Sequence, residues 1–188
     1  MKTENVSAII MAGGASERMG TDKTELKLGG KTLVEIQVEK MKKLGITDIM
    51  LSGYGKEMDG ARSVADVYAG KGPLGGIHAC LKAAKNSSCL VVSADNPLVP
   101  AEVLSELIEA HTGPATVLSH GEHIEPLIAV YDTSLEARAE ELIKNDDFSI
   151  RRMSANSEVK KVDYKGDADL LVNCNEPKDF EKAQSLWK

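Results

Sequence analysis

The sequence predicts an α/β domain of the doubly wound type, in which a mostly parallel sheet forms the middle layer of an α/β/α sandwich. Near-continuous apolar runs of strand length recur along the chain, and longer segments with apolar residues at helical spacing separate them. Strands that are apolar on both faces are typical of parallel sheets covered by helices on two sides. No linker, repeat or low-complexity tract interrupts the 188 residues, so we expect a single domain over residues 1–188.

The individual elements follow from this alternation. In the first half of the chain the apolar runs predict strands at residues 6–12, 48–53 and 89–95. Helical spacing predicts helices at residues 31–44, which Gly45 ends, at residues 77–85, after the glycines of "PLGG", and at residues 100–111, which begin on a proline. In the second half we predict strands at residues 115–119, 126–131, 158–163 and 169–173, and helices at residues 133–144 and 176–187.

The composition narrows the class of protein. Apolar residues make up 42% and charged residues 28% of the chain, as in ordinary soluble domains, and the net charge of −6 disfavours nucleic acid as a partner. The apolar runs are too short for a membrane span or a signal peptide. Cys80, Cys89 and Cys174 are odd in number and widely spaced, which indicates free, buried thiols in a reducing compartment. We therefore expect a cytoplasmic protein without a membrane or nucleic-acid partner.

The stretch "AIIMAGGASERMGTDK" is the first candidate for a binding site. Gly13 and Gly14 follow the first predicted strand, where glycine lets the backbone approach a ligand and present its amides to an anion. Arg18 and Lys23 add two positive charges that suit phosphate oxygens. The spacing fits neither a Walker A loop nor the G-x-G-x-x-G dinucleotide fingerprint. The alternative is a solvated turn with two unrelated surface cations.

Other polar residues follow predicted strands in the same way. In doubly wound sheets, ligands bind outside the carboxyl ends of the strands. Gly13, Ser52 and Asp95 each lie just past an apolar run. We therefore expect all three at one edge of the sheet.

The segment "MAGGASERMGTDKTELKLGGKTL" resembles the LAGGxSxRMGxDK…L…GK-x-L signature of nucleotidyltransferases that activate small molecules with an NTP. Within that superfamily the chain is similar to the MobA type, the molybdenum-cofactor guanylyltransferases, and the likeness covers essentially its whole length. The resemblance implies a single MobA-like NTP transferase domain with a Rossmann-like, nucleotide-diphospho-sugar transferase-like fold.

The resemblance also implies a nucleotide site. "GKGPLGGIHACL" matches the GPLxG segment that lies against the base, and Asp66 matches an acidic position that contacts guanine. Taken alone, these features also fit a Pro-Gly turn before a helix and a solvated acidic residue. The implied nucleotide-binding residues are Met11, Ala12, Gly13, Gly14, Lys23, Ser52, Gly53, Asp66, Gly72, Pro73, Leu74, Gly75 and Asp95.

Asp95 lies in "SADNP", which resembles the family's CDxP motif with Ala94 where cysteine is common. The resemblance implies that Asp95 holds Mg²⁺ and that Arg18, Lys23 and Asp95 form the catalytic group. Magnesium keeps several waters, so one carboxylate is sufficient. An Asx turn before Pro97 is the structural alternative.

Acceptor binding is implied for residues near the carboxyl end. Arg151 and Arg152 stand where the family has an arginine that affects the acceptor, although two exposed cations on a short helix fit equally well. Asn173 and Asn175 match the family's N-x-N motif, followed here by a glutamate instead of threonine.

The histidines carry less information. His120 and His123 have H-x-x-H spacing, but they lie in the polar stretch "SHGEHIE", which predicts a hairpin tip and not a metal site. His78 lies on the predicted helix after the "GPLGG" stretch and is consistent with either a core or a site role.

Together these features imply nucleotidyl transfer, in which a terminal phosphate of the acceptor attacks the α-phosphorus of GTP and pyrophosphate leaves. The implied partners are GTP, the molybdopterin cofactor as acceptor and, transiently, other proteins of cofactor biosynthesis. A cytidylyltransferase, a transferase acting on another phosphorylated small molecule, and a non-catalytic nucleotide-binding protein remain alternatives. A dehydrogenase is disfavoured because its glycine pattern is absent.

Overall fold

A seven-stranded sheet forms the centre of the computed structural model, which describes residues 2–13, 26–155 and 158–187. The strands of this sheet are β1 (Ser7–Met11), β4 (Asp48–Ser52), β5 (Arg62–Val64), β6 (Ser88–Ser93), β7 (Ala115–His120), β8 (His123–Asp132) and β9 (Val159–Asp163). A separate two-stranded hairpin consists of β2 (Lys27–Leu28) and β3 (Lys31–Thr32).

The described part of the chain contains six α-helices, five between strands and the sixth after β9. They are α1 (Leu33–Lys43), α2 (Gly72–Ala83), α3 (Ala101–Ala110), α4 (Glu136–Lys144), α5 (Ile150–Met153) and α6 (Pro177–Leu186). Short 3₁₀ segments occupy Thr3–Asn5, Thr133–Leu135 and Ala168–Leu171. None of the described helices is long and apolar enough to cross a bilayer.

The strand order in the sheet is β5-β4-β1-β6-β8-β7-β9. Strands β5, β4, β1 and β6 run parallel, β8 runs antiparallel to both β6 and β7, and β9 is parallel to β7. The prediction of a mostly parallel sheet is therefore confirmed. The antiparallel strand β8 enters by a hairpin from β7, which places the predicted hairpin tip at Gly121 and Glu122.

Helices cover both faces of the sheet, as the apolar strands predict. Helices α1 and α3 pack on one face around Ile10 and Val92, and α2 and α4 pack on the other around Ile9 and Val91. Because neighbouring strand residues point to opposite faces, each central strand contributes to both cores. The three cysteines are buried as predicted, and burial raises the pKa of Cys80 to about 12.

Helix α1 shows how local sequence sets an element. The amide of Glu35 donates to Thr32 Oγ1 at 3.2 Å, and the Glu35 carboxylate accepts from the Thr32 amide at 2.7 Å, which makes a capping box. The helix ends at Lys43, and Gly45 has φ of +81° just beyond it. The predicted stop is confirmed.

Two predicted elements differ from the structure. In place of the strand predicted at residues 169–173, a 3₁₀ helix spans Ala168–Leu171, because the Asp167 carboxylate accepts from the Asp169 amide at 2.9 Å and starts a turn. Helix α2 begins at Gly72 and so includes Gly75 and Gly76. Within the helix, both glycines lie in close contact with other segments of the chain.

Candidate functional site

The carboxyl ends of β4, β1 and β6 lie side by side. Met11, at the end of β1, pairs with Ser52 on one side and Ser93 on the other. The pairing continues one residue further, since the Ala12 amide donates to the Ser52 carbonyl and the Ala94 amide donates to the Met11 carbonyl, both at 2.9 Å. The chain segments that leave these strands therefore start together at one edge of the sheet.

Gly13 and Gly53 make the closest approach at this edge. A Cβ atom added to Gly13 would lie 2.9 Å from the Gly53 Cα, and one added to Gly53 would lie 2.5 Å from the Gly13 Cα. Gly53 also has φ of +71°, which side chains rarely adopt. Both positions require glycine so that the two loops can pass each other.

Helix α2 meets the same strand ends through Gly76. A Cβ on Gly76 would collide with Ser52 Oγ and would lie 2.9 Å from Met11 Cε. The missing side chain thus lets the amino-terminal half of α2 pack directly on the ends of β1 and β4. The amino end of a helix, with its free backbone amides, is thereby held beside the glycine pair.

The segment before α2 folds back over Gly75. A Cβ atom added to Gly75 would lie 3.1 Å from the Tyr68 carbonyl oxygen and 3.8 Å from Asp66 Oδ2. Partial burial there raises the pKa of the Asp66 carboxyl. Leu74 is fully buried in the core, so only its backbone could reach a ligand.

Asp95 follows β6 at the same edge, as predicted, and its side chain is half-buried. Its carbonyl accepts a hydrogen bond from the Cys174 amide at 2.8 Å. The neighbouring Asn96 is buried, and its Nδ2 donates to the carbonyls of Leu171 at 3.0 Å and Val172 at 3.3 Å. These bonds bring the residues that follow the 3₁₀ helix, including Asn173 and Asn175, beside Asp95.

Gln37 fixes the backbone around Asp95 from the other side. It is fully buried on α1, and its Nε2 donates to the carbonyls of Ser93 and Asn96, each at 2.9 Å. Gln37 was not predicted from the sequence, although an amide on the apolar face of a predicted helix is a signal of such a role. A buried amide needs such partners.

The two arginines predicted to bind the acceptor lie on α5. Arg152 Nη1 pairs with Asp147 Oδ2 at 2.7 Å, whereas Arg151 lies near Glu125 of β8. Burial raises the pKa of the Glu125 carboxyl, against the opposing influence of His123 and Arg151. Glu125 was not predicted, and its acidic group beside Arg151 adds a titratable residue to this end of β8.

A bulge of three residues separates Glu125 from the rest of its strand. Val117 of β7 pairs with Ala129, but the next residue of β7, Leu118, pairs with Glu125, so residues 126–128 have no partner on β7. The Tyr131 hydroxyl donates to the Pro126 carbonyl at 2.9 Å and holds the bulge in shape. Bulges of this kind often re-aim side chains beside functional sites.

Gly14, Arg18 and Lys23 lie outside the described residues. Among the described residues, no group of three or more histidine, cysteine, aspartate or glutamate side chains forms a ready metal cage. A single carboxylate with neighbouring amide oxygens is still suitable for a hard cation that keeps water and substrate oxygens as ligands.

Comparison with known proteins agrees with this geometry. Residues 8–161 match the family model described as the MobA-like NTP transferase domain. The chain belongs to this family. It is therefore a nucleotidyltransferase, and the strand ends described above belong to the matched region.

The similarity to individual members extends over nearly the whole chain. A protein of Pelotomaculum thermopropionicum named "Probable molybdenum cofactor guanylyltransferase" is 33% identical over 193 residues, covering 96% of this chain and 92% of the relative. The crystal structure of molybdopterin-guanine dinucleotide biosynthesis protein A from Archaeoglobus fulgidus has a TM-score of 0.79 at 26% identity, covering 96% of this chain and 98% of the other. The 2-C-methyl-D-erythritol 4-phosphate cytidylyltransferase of Thermus thermophilus, at 21% identity and TM-score 0.71, shares the fold over 97% of this chain and 98% of its own.

Proposed function

We propose that this MobA-like NTP transferase transfers GMP from Mg²⁺-bound GTP to the terminal phosphate of the molybdopterin cofactor and releases pyrophosphate. The observation that carries the proposal is the meeting of Gly13, Gly53 and Asp95 at one sheet edge, beside the amino end of α2. The names of the relatives support the choice of nucleotide and acceptor.

The glycine pair and the start of α2 are suited to the nucleotide. Backbone amides without side chains in front of them can approach phosphate oxygens closely. Arg18 and Lys23 would neutralise charge on the triphosphate and on the departing pyrophosphate. Asp66 would accept hydrogen bonds from N1–H and the exocyclic amine of guanine, a pair of donors that adenine and cytosine do not present in that arrangement. Gly72, Pro73, Leu74 and Gly75 would offer backbone groups beside the base.

Asp95 is suited to a divalent cation. Its oxygen ligand is of the type that Mg²⁺ prefers, and the cation, when bound, would supply positive charge to the triphosphate. Gln37 and Asn96 hold the backbone around Asp95, so its carboxylate is positioned before substrate arrives.

The acceptor would enter from the side of α5 and the segment after the 3₁₀ helix. Asn173 and Asn175 lie beside Asp95 and would contact phosphate oxygens. Arg151 and Arg152 would attract the anionic acceptor. A terminal phosphate is already ionised near neutral pH, so the reaction requires alignment and charge stabilisation and no strong base.

The test combines binding and turnover. The purified protein is melted with Mg²⁺ and GTP, CTP, ATP or UTP, and pyrophosphate release is then measured with the best nucleotide and the molybdopterin cofactor. We expect GTP to stabilise the fold most, by about 2–3 kcal/mol well above its dissociation constant, and to give pyrophosphate only with the acceptor. A preference for CTP would favour a cytidylyltransferase instead, and nucleotide binding without pyrophosphate would indicate a non-catalytic protein.

A further inference from the structure

Residues 65–75, the base segment, are attached to α4 and to the loop that follows it. The Tyr68 hydroxyl donates to Glu140 Oε1 on α4 at 2.8 Å. The Lys71 ammonium pairs with Asp146 Oδ1 at 3.2 Å and lies 4.7 Å from the centre of the Phe148 ring. These contacts join the segment that carries Asp66 to a part of the chain about 70 residues away.

Contacts of Tyr68 and His78 strengthen this attachment to α4. The Tyr68 ring packs against the His78 ring with centroids 5.4 Å apart, and the fully buried His78 lies 3.0 Å from Glu136 of α4. Hydrogen bonding raises the pKa of Tyr68 and lowers that of Glu140, so the pair keeps one neutral donor and one ionised acceptor at neutral pH.

The Lys71 contact involves two unusual residues in the loop after α4. Asp146 has φ of +54°, which is uncommon outside glycine, and Phe148 is among the large apolar side chains that stay exposed. Both side chains contact the Lys71 ammonium. A cation over an aromatic ring and beside a carboxylate gains from both contacts.

We propose that Tyr68 and Lys71 are positioning residues for nucleotide selection. They hold the base segment against α4 so that Asp66 stays in place above Gly75. This inference rests on the proposed function, because it assigns the base to the Asp66 side of the site. In the proposed arrangement both residues support the base side of the site, so we expect their loss to change nucleotide affinity and base preference and to leave the chemical step unchanged.

The geometry supports this division of roles. Gly75 lies between the three residues of the base segment concerned. A Cβ atom added to it would lie 3.1 Å from the Tyr68 carbonyl oxygen, 3.3 Å from Lys71 Cβ and 3.8 Å from Asp66 Oδ2. A movement of Tyr68 or Lys71 therefore moves the backbone that follows Asp66 and changes the contact of Asp66 with Gly75. Small displacements of a positioned group are costly for recognition.

The experiment compares Tyr68→Phe and Lys71→Met with the wild-type chain. Tyr68→Phe removes only the hydroxyl and keeps the ring against His78, while Lys71→Met removes the charge and keeps the stem. Glu141→Gln is the matched control for Tyr68→Phe, because it weakens a different contact of α4, the pair between Arg138 Nη1 and Glu141 Oε2 at 2.6 Å. Lys71→Arg keeps the positive charge and should restore the Lys71 contacts.

Dissociation constants for Mg²⁺-bound GTP, ATP and CTP are measured by calorimetry, with melting temperature in the absence of nucleotide as a check on folding. We expect Tyr68→Phe to weaken GTP binding about tenfold and Lys71→Met about threefold. In both variants the preference for GTP over ATP falls, and in pyrophosphate release KM for GTP rises while kcat stays within about twofold. Glu141→Gln and Lys71→Arg should behave as wild type.

The outcomes separate this inference from the proposed function. Wild-type GTP selectivity that persists in Tyr68→Phe and Lys71→Met would overturn the positioning role and leave the proposed function standing. Equal losses for all nucleotides, together with a lower melting temperature without nucleotide, would also overturn it, because they indicate general destabilisation. A wild-type chain that selects no nucleotide would remove both proposals.

Discussion

The backbones of Gly13 and Gly53 touch where β1 and β4 end, and neither position has room for a side chain. This contact aligns the start of the glycine loop with the end of the neighbouring strand. A single methyl group on either glycine would therefore push apart the two loops of the candidate nucleotide site.

Gly53→Ala should therefore destabilise the fold and weaken nucleotide binding together. The added Cβ would lie 2.5 Å from the Gly13 Cα, and the backbone at φ of +71° would become strained. We expect a loss of about 2–4 kcal/mol in the free energy of unfolding by chemical denaturation. Gly55→Ala is the matched control, because nothing lies within 4 Å of its added Cβ. Equal stability of the two variants would contradict the crossing of the loops.

Gly76→Ala tests the packing of α2 on the strand ends. Helix propensity alone predicts stabilisation by about 1 kcal/mol, since alanine replaces glycine inside a helix. The collision with Ser52 Oγ and the 2.9 Å approach to Met11 Cε predict the opposite sign. Overpacking costs about 1–3 kcal/mol, so we expect a net loss of stability of about 1–2 kcal/mol in denaturation.

Ser52→Ala should relieve part of that loss in the double variant, because it removes the atom nearest to the new methyl group. We expect a coupling of at least about 0.5 kcal/mol in the double-mutant cycle. Additive effects of Gly76→Ala and Ser52→Ala would indicate that the two residues are not in contact.

The position of the site at this sheet edge could be predicted because it depends on local sequence patterns. Each central strand is a continuous apolar run, and parallel strands place their carboxyl ends together, so Gly13, Ser52 and Asp95 follow from the pattern alone. The register that sets Met11 between Ser52 and Ser93 is consistent with this reading.

The supports of the site could not be predicted, because they depend on contacts between distant residues. Nothing near Asn96 indicates that its amide reaches the carbonyls of Leu171 and Val172. The apolar residues 169–173 predicted a strand, whereas the carboxylate of Asp167 and these long-range bonds favour a 3₁₀ turn. Local propensity therefore failed where tertiary contacts decide the backbone.

Asp95→Asn should fold and lose turnover. The substitution keeps the shape of the side chain but removes the negative charge that we propose for holding Mg²⁺. We expect kcat for pyrophosphate release to fall at least about a hundredfold, as for loss of a charge-stabilising group, and half-saturation with Mg²⁺ to require a higher concentration. Lys23→Ala should show a similar loss in kcat at unchanged Mg²⁺ dependence.

Glu122→Gln is the control for Asp95→Asn, since Glu122 is an exposed acid in the hairpin turn between β7 and β8. It should leave both the rate and the Mg²⁺ dependence unchanged. Full pyrophosphate release by Asp95→Asn would contradict the assignment of Asp95.

Lys40 gives the stability of the fold a pH dependence in the alkaline range. Its ammonium donates to the carbonyls of Pro97 at 3.0 Å and Val99 at 2.6 Å, and burial lowers its pKa to about 8. Between that value and the ordinary pKa near 10.5, the unfolded chain binds more protons at Lys40 than the folded chain. The free energy of unfolding therefore rises with pH in this window. The neutral amine still has two N–H groups for the two carbonyls.

The measurement compares wild type with Lys40→Met by denaturant unfolding at about pH 7.5 and about pH 9.5. Subtracting the two proteins cancels the other titrating groups, and the loss of the two hydrogen bonds contributes a constant offset. We expect the wild type to gain about 2 kcal/mol relative to Lys40→Met over this range. A difference that stays constant with pH would show that Lys40 keeps an ordinary pKa, and a difference that shrinks would reverse the sign derived from its burial.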